Sequence, residues 1–220
     1  MSSNDEFDPS RRQFHRFLLA GLAVAALPAA AAIPAWLPII PPQPTDSPGK
    51  IEVLEFFSFG CPHCRDFDPL INAWAEKLPK DVAFKKVPVT FGRAAWVNLS
   101  RLYYTLEGLG EQKRLEPAVF EAIHAQHVNL FSEDDVLNWA KQKGLDSRRF
   151  GDAFKSFSTE TAMARAEQLS RNYKVDGVPT LVIGGRYRVI GEEGKGHQGQ
   201  LAVADQLIAQ MRKEQGKGKR

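Results

Sequence analysis

An α/β domain carrying an inserted helical subdomain is the fold class this sequence predicts, on three observations. A strand-length apolar run at 51–57 is followed by a helical pattern and a second strand run at 82–89, which makes a β-α-β start. From 93 to 173 the apolar period is helical almost throughout. Two more strand runs, 180–183 and 187–190, and a closing helix at 198–211 then supply the second half of a sheet. The chain has 220 residues, 43% of them hydrophobic and 25% charged. That composition can bury a core, so global disorder, collagen-like repeats and a polytopic membrane protein are excluded. A net charge of +3 is too small for a nucleic-acid binder, and two cysteines cannot staple a disulfide scaffold.

The N-terminus reads as an address. Residues 1–16 are polar and end in Arg11, Arg12 and Arg16; an uncharged stretch follows, densest in apolar residues up to Leu27, then Pro28 and the alanines at 29–32. Basic, apolar and small-residue regions in that order make an export signal over 1–32, cut after Ala30 or Ala32. Ser10-Arg11-Arg12-Gln13-Phe14 resembles a twin-arginine signal, but His15 and Arg16 depart from it, so the route stays open between the two export systems. The competing reading is an uncleaved anchor, which Pro28, Pro34 and Pro38 oppose by interrupting the stretch. Residues 33–50, with five prolines from Pro38 to Pro48, read as an extended linker.

Each later element has its own signal. Pro62 suits the first turn of a helix, where its missing N–H costs nothing, and Phe67, Leu70, Ile71 and Trp74 continue at helical spacing until Pro79. In the helical block, Trp96, Leu99, Tyr103 and Leu106 share one face. Pro117 opens a second helix with Val119, Phe120 and Ile123. Ser132 and Asp135 make a capping box, Asp146 or Ser147 caps a short helix, and Ser158 or Thr159 opens the last. Gly184-Gly185 reads as a hairpin turn. The expected division is therefore 51–91 with 176–212 as the sheet domain, 92–175 as the insertion, and 213–220 as a solvated basic tail.

Cys61-Pro62-His63-Cys64 is the one C-x-x-C in the chain, and it lies after a strand at a helix start, the context of a redox motif. Positions i and i+3 there lie on one face, close enough for reversible disulfide closure. Cys61 faces the unpaired N–H groups and positive end of the helix, and His63 adds a donor or charge beside it; both favour thiolate. A stabilised thiolate leaves readily, which makes the disulfide an oxidant. Three plainer readings compete. A structural disulfide would close too short a loop to add much stability. A zinc site lacks further ligand pairs, though His63 or a distant His124, His127 or His197 could complete one by coincidence of folding. A reduced cytosolic pair conflicts with the export signal.

Glu55 interrupts the apolar run six residues before Cys61. It reads either as a buried carboxylate beneath the sulfurs, able to shuttle a proton, or as an edge-strand acid reaching solvent. Lys86, on the neighbouring strand face with Val82 and Phe84, is its candidate partner; as a strand lysine beside Lys85, it reads more simply as solvated.

The segment Glu55-Phe56-Phe57-Ser58-Phe59-Gly60-Cys61-Pro62-His63-Cys64, with Gly177-Val178-Pro179-Thr180 downstream, resembles the DsbA family of periplasmic disulfide oxidases over roughly 51–211. The resemblance implies a thioredoxin-like fold with an inserted all-helical domain. It implies that Cys61 is the exposed nucleophile, Cys64 the buried resolving thiol, and His63 the stabiliser of the Cys61 thiolate. Pro179 is expected to be cis, with Val178 presenting its backbone to an extended substrate beside Thr180. Glu55 and Lys86 correspond to a buried charged pair. Gly60, where relatives often carry a bulkier residue, is expected to alter access beside Cys61. The expected activity is donation of the Cys61–Cys64 disulfide to reduced, unfolded exported proteins in the periplasm, by a monomer without metal or organic cofactor. A DsbB-like membrane quinone reductase would reoxidise it. The rivals are a reductase or isomerase of the same fold, a peptide-holding or metal-carrying module, and a fold relative acting on small molecules.

Overall fold

The computed structural model describes residues 34–191 and 194–217; the expected export signal lies outside them. Five strands form one mixed sheet in the order β1-β5-β4-β2-β3. The strands are β1 (Trp36–Pro38), β2 (Ile51–Phe57), β3 (Val82–Pro88), β4 (Thr180–Ile183) and β5 (Tyr187–Val189). β2 and β3 are parallel, joined through helix α1 (Pro62–Ala75); the other pairings are antiparallel. Between β3 and β4 run the inserted helices α2 (Ala94–Leu109), α3 (Gln112–His124), α4 (Glu133–Gln142), α5 (Ser147–Phe154) and α6 (Phe157–Asn172). Helix α7 (Gly196–Lys217) closes the fold.

The central strand β2 is buried at all seven positions, as expected where helices cover both sheet faces. Its period-2 alternation divides the core. Ile51 and Val53 point into a cluster with Phe67 and Ile71 of α1 and Val203 and Leu207 of α7. Leu54 and Phe56 point into the opposite cluster with Ala166, Tyr173 and Val175. Glu55 shares the face of Val53 and therefore lies under α1. A third cluster fills the insertion and reaches Phe57, Phe59, Cys61 and Cys64, so the helical block packs directly on the cysteine motif.

The capping signals act at the expected helices: Ser132 accepts from the Asp135 N–H, and Asp146 from the Arg149 N–H. Several boundaries move. Helix α3 begins at Gln112, so Pro117 lies inside it and Leu115 and Glu116 gain a place on its buried face. Helix α6 is capped by Ser156, whose side chain accepts from the Thr159 N–H, so it starts ahead of Ser158. Of the expected tail 213–220, residues 213–217 continue helix α7 rather than fraying, and 218–220 lie outside the described residues. Buried Met211 and a forked Arg212–Asp81 pair, at 2.6 and 2.9 Å, hold that end on the domain.

The largest correction concerns 33–50, which is no free linker. Trp36–Pro38 pairs with β5 at the sheet edge, where a proline's missing donor is tolerated. The Trp36 ring meets Tyr187 edge-on at 4.8 Å. Further along, Ile39 N–H donates to Arg186 and Gln43 N–H to Gly185. Buried Glu52 then gathers the Asp46 N–H, the Ser47 hydroxyl and Lys85. Extended proline-rich backbone suits an edge because it already has strand-like dihedrals.

Gly184 and Gly185 make the β4–β5 turn with φ of 57° and 67°. A side-chain carbon at Gly185 would sit 2.2 Å from the Gln43 carbonyl oxygen. Gly185→Ala is therefore expected to cost about 2 kcal/mol and lower Tm by roughly 4–8 °C, read by thermal unfolding. An unchanged Tm would mean that the edge segment is not seated on the turn.

Candidate active site

The loop between β2 and α1 sets the geometry. Ser58 turns the chain: its carbonyl accepts from the Cys61 N–H at 3.0 Å and its hydroxyl from the Gly60 N–H at 3.2 Å. Cys61 is then the N-cap of α1 in extended conformation, with no side-chain cap and Pro62 following. The unpaired N–H groups of the first turn are left facing its sulfur. Both cysteines are free thiols, and neither stands out in solvent: Cys61 keeps 7% of its surface and Cys64 none. The expectation of an exposed nucleophile holds only in this relative sense. Cys61 is covered because its Sγ meets the Val178 carbonyl at 3.4 Å. Pro62 and His63 are exposed beside it.

The Val178–Pro179 bond is cis, and Val178, Pro179 and Thr180 are all half-buried at the start of β4. Thr180 closes that turn by donating to the Gly177 carbonyl at 2.7 Å. Its backbone pairs with Phe56, which docks the turn against the strand leading into the cysteines. The space that a bulkier residue at Gly60 would take, where altered access beside Cys61 was expected, is filled by Trp96. A side-chain carbon there would lie 2.6 Å from the indole Nε1. The Arg93 guanidinium lies over the Trp96 ring, 4.5 Å from its centroid.

The two sulfurs have opposite acidities. The Cys64 thiol hydrogen-bonds the Cys61 sulfur, outweighing the burial that acts against it; backbone N–H groups of Cys64 and His63 and the His63 charge add to the effect. Together they bring Cys61 from 9.0 down to about 6. Burial, then the donation to Cys61, pushes Cys64 far up. Of these influences the Cys64 thiol is the largest and the His63 charge the smallest.

Beneath the thiols lies a charge cluster larger than the expected pair. The parallel register places Lys86 directly beside Glu55, with Nζ 3.6 Å from Oε2, and Lys86 is buried rather than solvated. The same ammonium donates to Asp68 of α1 at 2.6 Å and to Glu116 of α3 at 2.5 Å. Burial raises Glu55 from 4.5 to about 7 even against Lys86. Burial alone would lower Lys86, but Glu55, Glu116 and Asp68 together leave it raised. Sequence reading missed Asp68 and Glu116. Each is an acid embedded in an apolar stripe, Asp68 beside Phe67 and Ile71, Glu116 beside Leu115, Val119 and Phe120; that is the signal by which Glu55 was noticed. His124 was considered only as a metal ligand. Its Nε2 instead meets the Phe59 carbonyl at 2.7 Å, which requires the proton on that nitrogen. Among the described residues, no group of three His, Cys, Asp or Glu side chains is arranged to hold a metal ion.

Residues 52–207 match the family described as the DSBA-like thioredoxin domain. The thiol:disulfide interchange protein DsbA of Bordetella parapertussis is 44% identical over 179 residues, spanning 81% of this chain and 85% of its own. The protein of the same name from Pseudomonas aeruginosa PAO1 is 42% identical over 172 residues, or 78% and 81% of the two chains. Among solved structures, Pseudomonas aeruginosa DsbA superimposes with a TM-score of 0.77 at 38% identity, over 84% of this chain and 95% of that one. The oxidoreductase DsbA from Xylella fastidiosa gives 0.75 at 32% identity, over 81% and 95%.

Two pH dependences follow. Titrating the reduced protein by thiolate absorbance is expected to reveal one thiolate with a midpoint near 6, while Cys64 stays protonated through neutrality. Because the folded value for Cys61 lies below the unfolded one, its stabilisation is present above 9 and lost as pH falls through about 6. Glu55 has the opposite sign: its folded value is raised, so its contribution is full below 4.5 and lost as pH rises through about 7. Glu55→Gln is expected to stabilise the protein above neutrality by on the order of 3 kcal/mol, since Lys86 keeps two carboxylates. Denaturant melts at acid and alkaline pH check it; equal effects at both would refute a charged, buried Glu55.

Proposed function

Since the chain belongs to the DSBA-like thioredoxin domain family and is a thiol:disulfide oxidoreductase, we propose that it runs in the oxidising direction, donating its Cys61–Cys64 disulfide to reduced proteins. A substrate thiolate attacks Cys61 Sγ, forming a mixed disulfide while the electron pair of the broken bond leaves on Cys64. A second substrate thiolate attacks the substrate sulfur of that bond and releases Cys61 as thiolate. Two electrons pass from substrate to enzyme. Val178, Pro179 and Thr180 offer backbone to an extended substrate across from the sulfurs, and His63 with the helix terminus holds the departing Cys61 charge. The family acts through its cysteine pair, so no organic cofactor or metal is assigned.

The observation that carries the direction is the lowered Cys61 thiol. Holding it near 6 rather than 9 favours the reduced form about tenfold at neutral pH, or about 30 mV of oxidising power from that thiol alone. The work is assigned to the periplasm, with unfolded exported chains as substrates, a DsbB-like membrane quinone reductase for reoxidation, and a monomer as the working form. In support, the leader carries export features, and among the described residues no helix is long and apolar enough to cross a membrane.

Equilibration with a glutathione redox series tests the direction. A potential well above thioredoxin's value of about −270 mV is expected; a value near it would make the protein a reductase. Cys64→Ser is expected to accumulate mixed disulfides through Cys61, and Cys61→Ser to lose oxidase activity, both read by mass spectrometry of quenched reactions.

A further inference from the structure

The reaction puts a negative charge on Cys64, a sulfur with no solvent-accessible surface and a strong preference for the thiol form. A proton must therefore reach it from inside the protein. Glu55, whose charge acts on Cys64, is the candidate donor, yet it too is 1% exposed, and its Oε2 has no hydrogen bond in the structure. Once it has given up its proton, it needs a supply. The cleft between the sheet edge and helices α1, α2 and α3, about 660 Å³, provides one: Lys86 and Glu116, themselves 7% and 2% exposed, both line it with Tyr103, Glu107 and Gln112. Glu116 Oε1 accepts from Lys86, and its Oε2 from the Gln112 amide.

We propose that Glu116 is the cleft-lining member of a proton relay, exchanging protons with water that enters this cleft and passing them through Lys86 to Glu55 and on to Cys64. The inference rests on the disulfide-donating reading above. In the first step the substrate–Cys61 bond forms and the Cys61–Cys64 bond breaks, its electron pair remaining on Cys64. The Glu55 carboxyl proton moves to that sulfur. Lys86 gives a proton to Glu55 and takes one from Glu116, and Glu116 takes one from solvent. One solvent proton is consumed, and every group except Cys64 returns to its starting state. Reoxidation runs the path backwards.

The surrounding charges suit this work. Asp68 faces Lys86 from α1 and is fixed by Asn72, so it holds the ammonium without lining the cleft. From α2, Tyr103 and Glu107 face the cluster, and burial raises both, which keeps them neutral over more of the pH range. Glu116 itself is raised by burial against the pull of Lys86, so it can carry a proton near neutrality. Lys113, on its own helix, and Lys50, Lys80, Lys85 and Glu76 ring the opening.

The test is the rate at which a small thiol reduces the oxidised protein, followed by rapid quench and thiol counting on both sides of neutrality, in water and deuterium oxide. Glu116→Gln keeps the shape and the Gln112 contact and is expected to slow the step on the order of tenfold on the alkaline side, with an enlarged solvent isotope effect. Glu116→Ala is expected to be rescued by formate, acetate or imidazole, to a degree set by each acid's pKa. Equal rates for wild type and Glu116→Gln at every pH would overturn the relay. So would rescue of Glu116→Ala that ignores the acid's pKa, since cavity filling alone would then suffice. The wild-type potential separates the two claims: a thioredoxin-like value defeats the oxidase reading, whereas an oxidising wild type with an unaffected variant defeats only the relay.

Discussion

Lys86 carries one ammonium into the interior, and three separately built parts of the fold close on it. A buried charge is tolerable only when paired, and this one draws Glu55 from the central strand, Asp68 from the motif helix and Glu116 from the insertion. Those contacts tie sheet, redox helix and helical block to a common point behind the cysteines. Three carboxylates around one cation also cannot all be comfortable as anions. The surplus appears as raised carboxyl groups, which are protonated near the pH at which thiols exchange.

The same logic of unequal environments divides the two sulfurs. Cys61 sits at a helix terminus among donors, and Cys64 one turn deeper among apolar side chains and within reach of the Glu55 carboxylate's charge. One therefore leaves and attacks as thiolate, and the other requires a proton. The insertion takes part in both settings. Trp96 covers Gly60, His124 holds the Phe59 carbonyl, and Glu116 reaches the ammonium, so helices inserted between two halves of a sheet become walls of the site.

Much was legible because it is local. The strand bounds 51–57 and 180–183, the caps at Ser132 and Asp146, the glycine turn and the thiol motif at a helix start each follow from neighbouring residues. Reading fails where distant partners decide. Proline content alone marked 33–50 as unpacked, yet the open edge of β5 supplied a partner for three of its residues. A lysine beside another lysine looked solvated, although alternate strand positions face opposite sides: Lys85 reaches Glu52 while Lys86 turns inward.

The sequence by itself determined the chemistry, because two cysteines separated by Pro-His at a strand-to-helix junction meet through one turn of backbone, and a helix terminus acts on them whatever lies elsewhere. It also marked Glu55, since an acid in an apolar strand must be either buried or useless to the core. The tertiary structure alone decided which charges balance that acid and what covers the nucleophile. Lys86, Asp68 and Glu116 are 18 and 30 residues apart in sequence but converge within hydrogen-bond distance, and Val178 lies 117 residues from Cys61. Desolvation and Coulomb forces depend on those spatial neighbours, which no local window contains.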